Sequence, residues 1–295
     1  MQSAERSGLV LGLIAVVLFG LTLPATRVAL TGLDPWLIGL GRGVFAGATA
    51  ALVLALTRTK WPPRETWRGI FITASGVVLG FPMFATLAMQ YAPASHGAVI
   101  LAILPLLTAI GGALVAGERP SIGFWVCSVV GTLAVLAFAI LEGAGKEGFH
   151  AADLLLAAAV VSAAIGYAEG GRLARTMGGW KVICWVLVFA APVQLVFLTL
   201  LGTPINWSAS PYAWGSFLYL ALFSQFIAFF AWYQGMALGG VAKVGQLQLL
   251  QTFVTLIAAS LLLGEQITWL QIGFACLVVA IVAVGRNMRV GRQDS

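Results

Sequence analysis

Ten stretches of about twenty apolar residues, parted by short polar links, decide what this chain can fold into. By residue number they run 8–29, 35–57, 69–91, 95–116, 121–141, 153–174, 180–201, 212–236, 241–263 and 267–285. Each is long enough to cross the hydrocarbon layer of a bilayer. Backbone groups in lipid have no water to bond, so a crossing segment must satisfy them within itself or in a closed barrel. None of the runs alternates residue by residue as barrel strands do, and each is therefore expected to be a helix. The first is too long for the apolar core of a cleaved leader and lacks a small-residue cleavage pattern, so it reads as a permanent span. The expected fold is an all-α integral membrane protein with ten transmembrane helices.

Sixty per cent of residues are apolar and nine per cent charged, against about 45–50% and about 25% in soluble domains. A net charge of +6 raises the question of nucleic acid, but the Lys and Arg residues are scattered between apolar runs rather than gathered on one face. They report sidedness instead. With the N-terminus inside, thirteen of the sixteen fall on the inner side, namely Arg6, Arg58, Lys60, Arg64, Arg68, Arg119, Arg172, Arg175, Lys181, Lys243, Arg286, Arg289 and Arg292. Both termini are then cytoplasmic. Cys127, Cys184 and Cys276 lie inside apolar runs without paired spacing, which supports neither a disulfide framework nor a metal site, and they read as packing residues. No cofactor is implied.

The chain also repeats itself. Sliding it by 147 residues lays TAIGGALVAGE from Thr108 on TLIAASLLLGE from Thr255, with identity at five of eleven positions. RVALTG from Arg27 lies on RLARTM from Arg172 at an offset of 145. Residues 1–147 and 148–295 are accordingly expected to be two five-helix repeats, and because five is odd the second is inverted relative to the first.

An Arg early in the second span (PWLIGLGR, Arg42), a fourth span reading ASHGAVILAILPLLTAI, and GERPS with its second-half echo GEQIT resemble the EamA branch of the drug/metabolite transporter superfamily. The resemblance covers nearly the whole chain. It implies a ten-helix, pseudo-two-fold bundle in the cell inner membrane that exports small metabolites, amino acids in several members. Thr252 stands where the first half has Pro105, and Gln266 where it has Arg119, so strict symmetry between the halves is not expected.

The ninth span carries Gln248, Gln251, Thr252 and Thr255, spaced to share one helix face. Amides and hydroxyls are costly against lipid, so this face either lines a wet cavity or bonds neighbouring helices. Mid-span Phe19, Phe81, Phe84, Tyr167, Gln225, Phe229, Trp232 and Tyr233 reach the same depth, and are either cavity walls or ordinary packing. Pro24, Pro82 and Pro105 free the carbonyls of Gly20, Val78 and Leu101, which are expected to offer acceptors to an ammonium or simply to kink their helices. Gly20, Gly80 and Gly166 read as hinges for gating or as close helix contacts.

Arg42 is expected to close the outer rim with Asp34 or Arg27, Glu118 and Arg119 to cap the inner end of the fourth span, and Glu265 to be the outer counterpart. Glu169 and Arg172, three apart, read as an ion pair, with a proton-carrying role for Glu169 as the alternative. His96 and His150 read as wetted surface groups. With no charge expected inside the cavity, the ligand that fits is a small zwitterion with an aromatic or large apolar side chain. Beyond that small-molecule substrate and the bilayer no partner is expected, and the protein is a monomer or homodimer. A membrane enzyme would need clustered histidines, paired carboxylates or a base beside a nucleophile at one depth, and none is found. Export of other metabolites or drugs, and lipid scrambling, remain as alternatives.

Overall fold

The computed structural model describes residues 2–141, 151–264, 269–285, 288 and 290–292. Eight helical stretches among the described residues are long and apolar enough to cross a membrane. They are α1 (Ala4–Ala29), α2 (Leu37–Leu56), α3 (Arg64–Ala88), α4 (Ala94–Val115), α6 (Ala151–Met177), α7 (Gly179–Leu200), α8 (Pro211–Gly239) and α9 (Val241–Leu263). Two further apolar helices complete the order, α5 (Ile122–Leu141) and α10 (Trp269–Gly285). Large apolar residues stay exposed along helix faces, as with Val10, Leu13, Ile14 and Val17 on α1. Such a stripe suits lipid contact and would be an aggregation hazard in water.

Two observations depart from the sequence reading. The helix of α3 begins at Arg64, inside the supposed polar link, because Pro63 starts a turn with Glu65 near its positive end, and the Trp67 indole bonds the Pro62 carbonyl. The chain also has a strand pair, β1 (Glu118–Pro120) with β2 (Val290–Arg292), antiparallel with Arg119 opposite Gly291. Three-residue strands leave no periodicity to detect. Arg119 therefore lies in a ladder rather than in a helix cap.

The two halves interleave. The helix α1 packs on α8 as α6 packs on α3; α4 packs on α6 as α9 packs on α1; α2 meets α7, α4 meets α9 and α5 meets α10. Exchanging each helix with the one five places along carries this set of pairings into itself. Small residues set how close the helices come: a Cβ added at Gly8 of α1 would stand 2.6 Å from the Gly239 nitrogen of α8. The exchange is incomplete, because α6 also packs on α7 and α8. That extra contact brings Tyr167 of α6 against Phe229 and Trp232 of α8.

Candidate functional site

Among the described residues, six helices lose regular α-helical bonding: α2 carries a π-turn over Leu37–Gly41 at its start, and five others change partway along. The helix α1 breaks at Leu21, α3 widens into a π-turn over Ala74–Gly80, α4 tightens into a 3-10 turn over Leu101–Ile103, α8 widens over Tyr219–Ile227, and α9 turns at Leu247 and Gln248. Prolines account for three of these, since Pro24, Pro82 and Pro105 each follow a break and lack the N–H that would close it. The break in α8 has no proline.

The freed carbonyls are all taken. Gly20 O accepts the Thr255 hydroxyl at 2.8 Å, Val78 O accepts the Gln194 amide at 3.0 Å, and Leu101 O accepts the Leu104 N–H. Each freed carbonyl thus already accepts one hydrogen bond, from another helix or from the tightened turn, as an apolar interior demands.

Around these breaks lies a narrow cavity lined by Phe19, Thr22, Arg42, Val77, Phe81, Tyr167, Ser224, Gln225, Phe229 and Gln251. A second, smaller one is lined by Ala98, Leu101, Gln248, Gln251, Thr252 and Thr255. Gln251 borders both. Each space is a crevice with room for about one water, so a larger ligand requires the rings or helices around it to part.

The polar face of α9 points inward, and it divides by role. Thr252 donates to Ala98 O at 3.2 Å and Thr255 to Gly20 O, so both tie helices together while bordering the smaller space. The glutamines keep free atoms: Gln248 accepts from Thr108 at 3.3 Å but its amide nitrogen has no partner, and the Gln251 carbonyl oxygen has none. Gln225 donates to Val77 O at 2.9 Å, and Thr22 shares a 2.8 Å hydrogen bond with Ser224 across the cavity wall.

The rings form one cluster. Phe19 stands edge-on to Phe229 at 5.0 Å between centroids and to Trp232 at 5.8 Å, and stacks on Tyr167 at 6.2 Å. Phe19, Phe81, Tyr167 and Phe229 line the larger cavity, whereas Trp232 and Tyr233 are fully buried behind it. The Trp232 indole nitrogen has no partner, and the Tyr233 hydroxyl donates to Gly166 O at 3.2 Å. Phe84 and Pro105 border neither cavity; Phe84 is half-buried against the core and Pro105 is buried after the 3-10 turn. The glycines are crossing points: Gly20 faces Val254 of α9, while Gly80 and Gly166 meet Ser162 and Val77 where α3 crosses α6.

Arg42 overturns the reading of an uncharged cavity. It is 2% exposed and lines the larger space, and its Nε and Nη1 have no partner. Neither expected rim partner holds it: Asp34 accepts the Trp36 N–H at 2.8 Å at the start of α2, and Arg27 donates to Met89 O. Five residues into α2 is about 7.5 Å along the axis. The π-turn over Leu37–Gly41 changes the helical phase just before it, and so changes which face residue 42 occupies. Thr22 and Ser224 were also missed, since isolated hydroxyls among apolar residues carry no spacing signal.

Other charges settle locally. Glu169 and Arg172 form the expected pair, with both carboxylate oxygens engaged, at 2.6 and 3.0 Å. His96 is not simply wetted, because it meets Asp153 at 2.6 Å. Glu118 is buried; its Oε1 accepts from Arg175 at 2.7 Å and from the Val241 N–H at 2.8 Å, and its Oε2 from the Ala242 N–H at 2.7 Å. It thus joins the end of α4 to α6 and to the first turn of α9. His150, Glu265, Gln266, Arg286 and Arg289 lie outside the described residues.

Comparison with known proteins accords with this architecture. The chain is 40% identical over 287 residues to the "Uncharacterized transporter YdeK" of Bacillus subtilis, covering 97% of this chain and 99% of that one. It is 26% identical over 284 residues to the "Probable terminal-alkyne amino-acid exporter" of Streptantibioticus cattleyicolor, covering 95% and 93%. A solved crystal structure shares the fold with a TM-score of 0.77 at 21% identity, over 95% of this chain and 98% of that one. The model of the EamA-like transporter family matches twice, at residues 6–140 and 150–285. With that double match over nearly its whole length, the chain belongs to the EamA-like transporter family and is a multi-pass membrane transporter.

Proposed function

We propose that this transporter exports small zwitterionic metabolites across the cell inner membrane by alternating access, with aromatic and large apolar amino acids as leading substrates. The observation that carries the reading is the ring-walled cavity at the level where α1, α3 and α8 break, fitted with the amides of Gln225 and Gln251. Irregular backbone at membrane depth is tolerated where protein buries it or a cavity meets it, and transporters place their sites at such breaks. The exporter among the relatives is named for an amino-acid cargo, which points the same way.

In this reading α5 and α10 also span the bilayer, and residues 1–147 and 148–295 are two inverted five-helix repeats with both termini cytoplasmic. The exchange of helix pairings between the halves supports that arrangement. Gly20 with Pro24, Gly80 with Pro82, and Gly166 opposite them are the pivots, since each lies at a break or at the crossing of α3 and α6. Phe19, Phe81, Tyr167 and Phe229 hold the apolar side chain, while Gln225, Gln251, Gln248 and Thr252 supply polar contacts. Trp232, Tyr233, Phe84 and Pro105 shape the wall from behind. Protein in liposomes should release preloaded labelled phenylalanine faster than protein-free liposomes do. No flux for any of the twenty amino acids would overturn the reading, and lipid-probe exchange without such flux would favour scrambling.

A further inference from the structure

A guanidinium buried among apolar groups is costly unless an anion meets it. Arg42 is so placed, with two nitrogens unsatisfied, and the acidic residues among the described ones are engaged elsewhere. Asp34 bonds the start of α2, Glu169 is taken by Arg172, Glu118 by Arg175 and α9, Glu5 by Lys243, and Asp153 by His96. Glu65 is exposed at the start of α3. The charge therefore faces the cavity without a counter-charge from the described protein.

We propose that Arg42 is the carboxylate-binding residue of this cavity, so that a ligand must carry an anionic group to be held. The inference rests on the transport reading above and narrows its substrate class. A carboxylate presents two coplanar oxygens that a guanidinium fork meets with charge-assisted hydrogen bonds. One Arg without a second cation matches one negative charge better than the double charge of a phosphate ester. In the same cavity the Gln251 carbonyl oxygen is a buried acceptor without a donor, suited to an ammonium. Donor and acceptor thus stand in one ring-walled space, the pattern that an α-amino acid with an apolar side chain fills.

The test needs no variant to begin. Purified protein in lipid nanodiscs is given labelled L-phenylalanine, with phenethylamine and phenylalanine methyl ester as competitors, both of which keep the ring and the amine but lack the carboxylate. Both should compete at least about 30-fold more weakly than unlabelled phenylalanine, the effect of leaving a buried charge unmatched. Arg42→Gln should erase that discrimination by weakening phenylalanine alone, and Arg42→Lys should restore part of it. Competition by the amine and the ester as strong as that of unlabelled phenylalanine in the wild type overturns the inference, as does discrimination retained in Arg42→Gln, or no binding of phenylalanine. Should Arg42→Gln fail to fold, the wild-type series decides. Phenylalanine flux without carboxylate discrimination would sink this inference and leave the transport reading standing; discrimination in binding without flux would do the reverse.

Discussion

Glu118→Gln should loosen one end of the bundle by an amount set by its hydrogen bonds. The wild-type carboxylate is buried and accepts three charge-assisted bonds, from Arg175 and from the Val241 and Ala242 N–H groups. The amide keeps one acceptor oxygen, presents an NH2 where a backbone N–H points, and leaves Arg175 without its counter-charge. Hydrogen bonds to charged groups contribute about 1.5–3 kcal/mol each, and part of that loss is recovered by rearrangement, so a net of about 2–3 kcal/mol is expected. That is about a 30- to 150-fold rise in opening at the start of α9, since about 1.4 kcal/mol corresponds to tenfold. Hydrogen–deuterium exchange in nanodiscs reads the Val241 and Ala242 amides themselves. Their exchange should accelerate by that factor, while the α1–α8 contact around Gly8 and Gly235 keeps its protection. Unchanged exchange at Val241 and Ala242 would refute the reasoning, and a uniform loss across all helices would show that Glu118 supports the whole fold rather than this junction.

Three further outcomes are expected. Gln251→Ala removes a polar group bordering both cavities and should lower phenylalanine flux about 3- to 10-fold, the worth of one neutral hydrogen bond, at unchanged protein level in liposomes. Gly8→Val places a branched side chain where the Gly239 nitrogen already stands 2.6 Å from an added Cβ, and should destabilise the detergent-solubilised protein by about 1–3 kcal/mol or more in thermal unfolding. Glu169→Gln should leave flux intact in the absence of a pH gradient, because Arg172 engages both carboxylate oxygens; flux that vanishes with the gradient in wild type and is lost in the variant would assign Glu169 a proton-carrying role.

The helices were legible because the bilayer makes composition and length decisive, and α9 begins and ends where its apolar run does. The breaks at Pro24, Pro82 and Pro105 were legible too, since a missing N–H is written in the residue itself. The widening of α8 over Tyr219–Ile227 was not, because a π-turn there follows from packing and no residue type announces it. Arg42 shows the cost of that gap. Counting residues from the start of its span put it near a rim, whereas a phase change of one π-turn lies between that start and Arg42, which is buried at the cavity. That Gln251 faces inward was legible for a general reason: four polar residues at helical spacing in lipid must turn inward. Which of the four bond helices and which stay free depended on where the carbonyls of Ala98 and Gly20 came to rest, and spacing within α9 cannot encode that.

The short ladder between β1 and β2 has a mechanical consequence. It fastens the link after α4 to the tail beyond α10, at the foot of two helices that already lie against each other. The ladder thus adds a second tie to the contact between α5 and α10, neither of which lines either cavity. In the alternating-access reading proposed above, these two helices are expected to travel together while the other eight rearrange around the cavity.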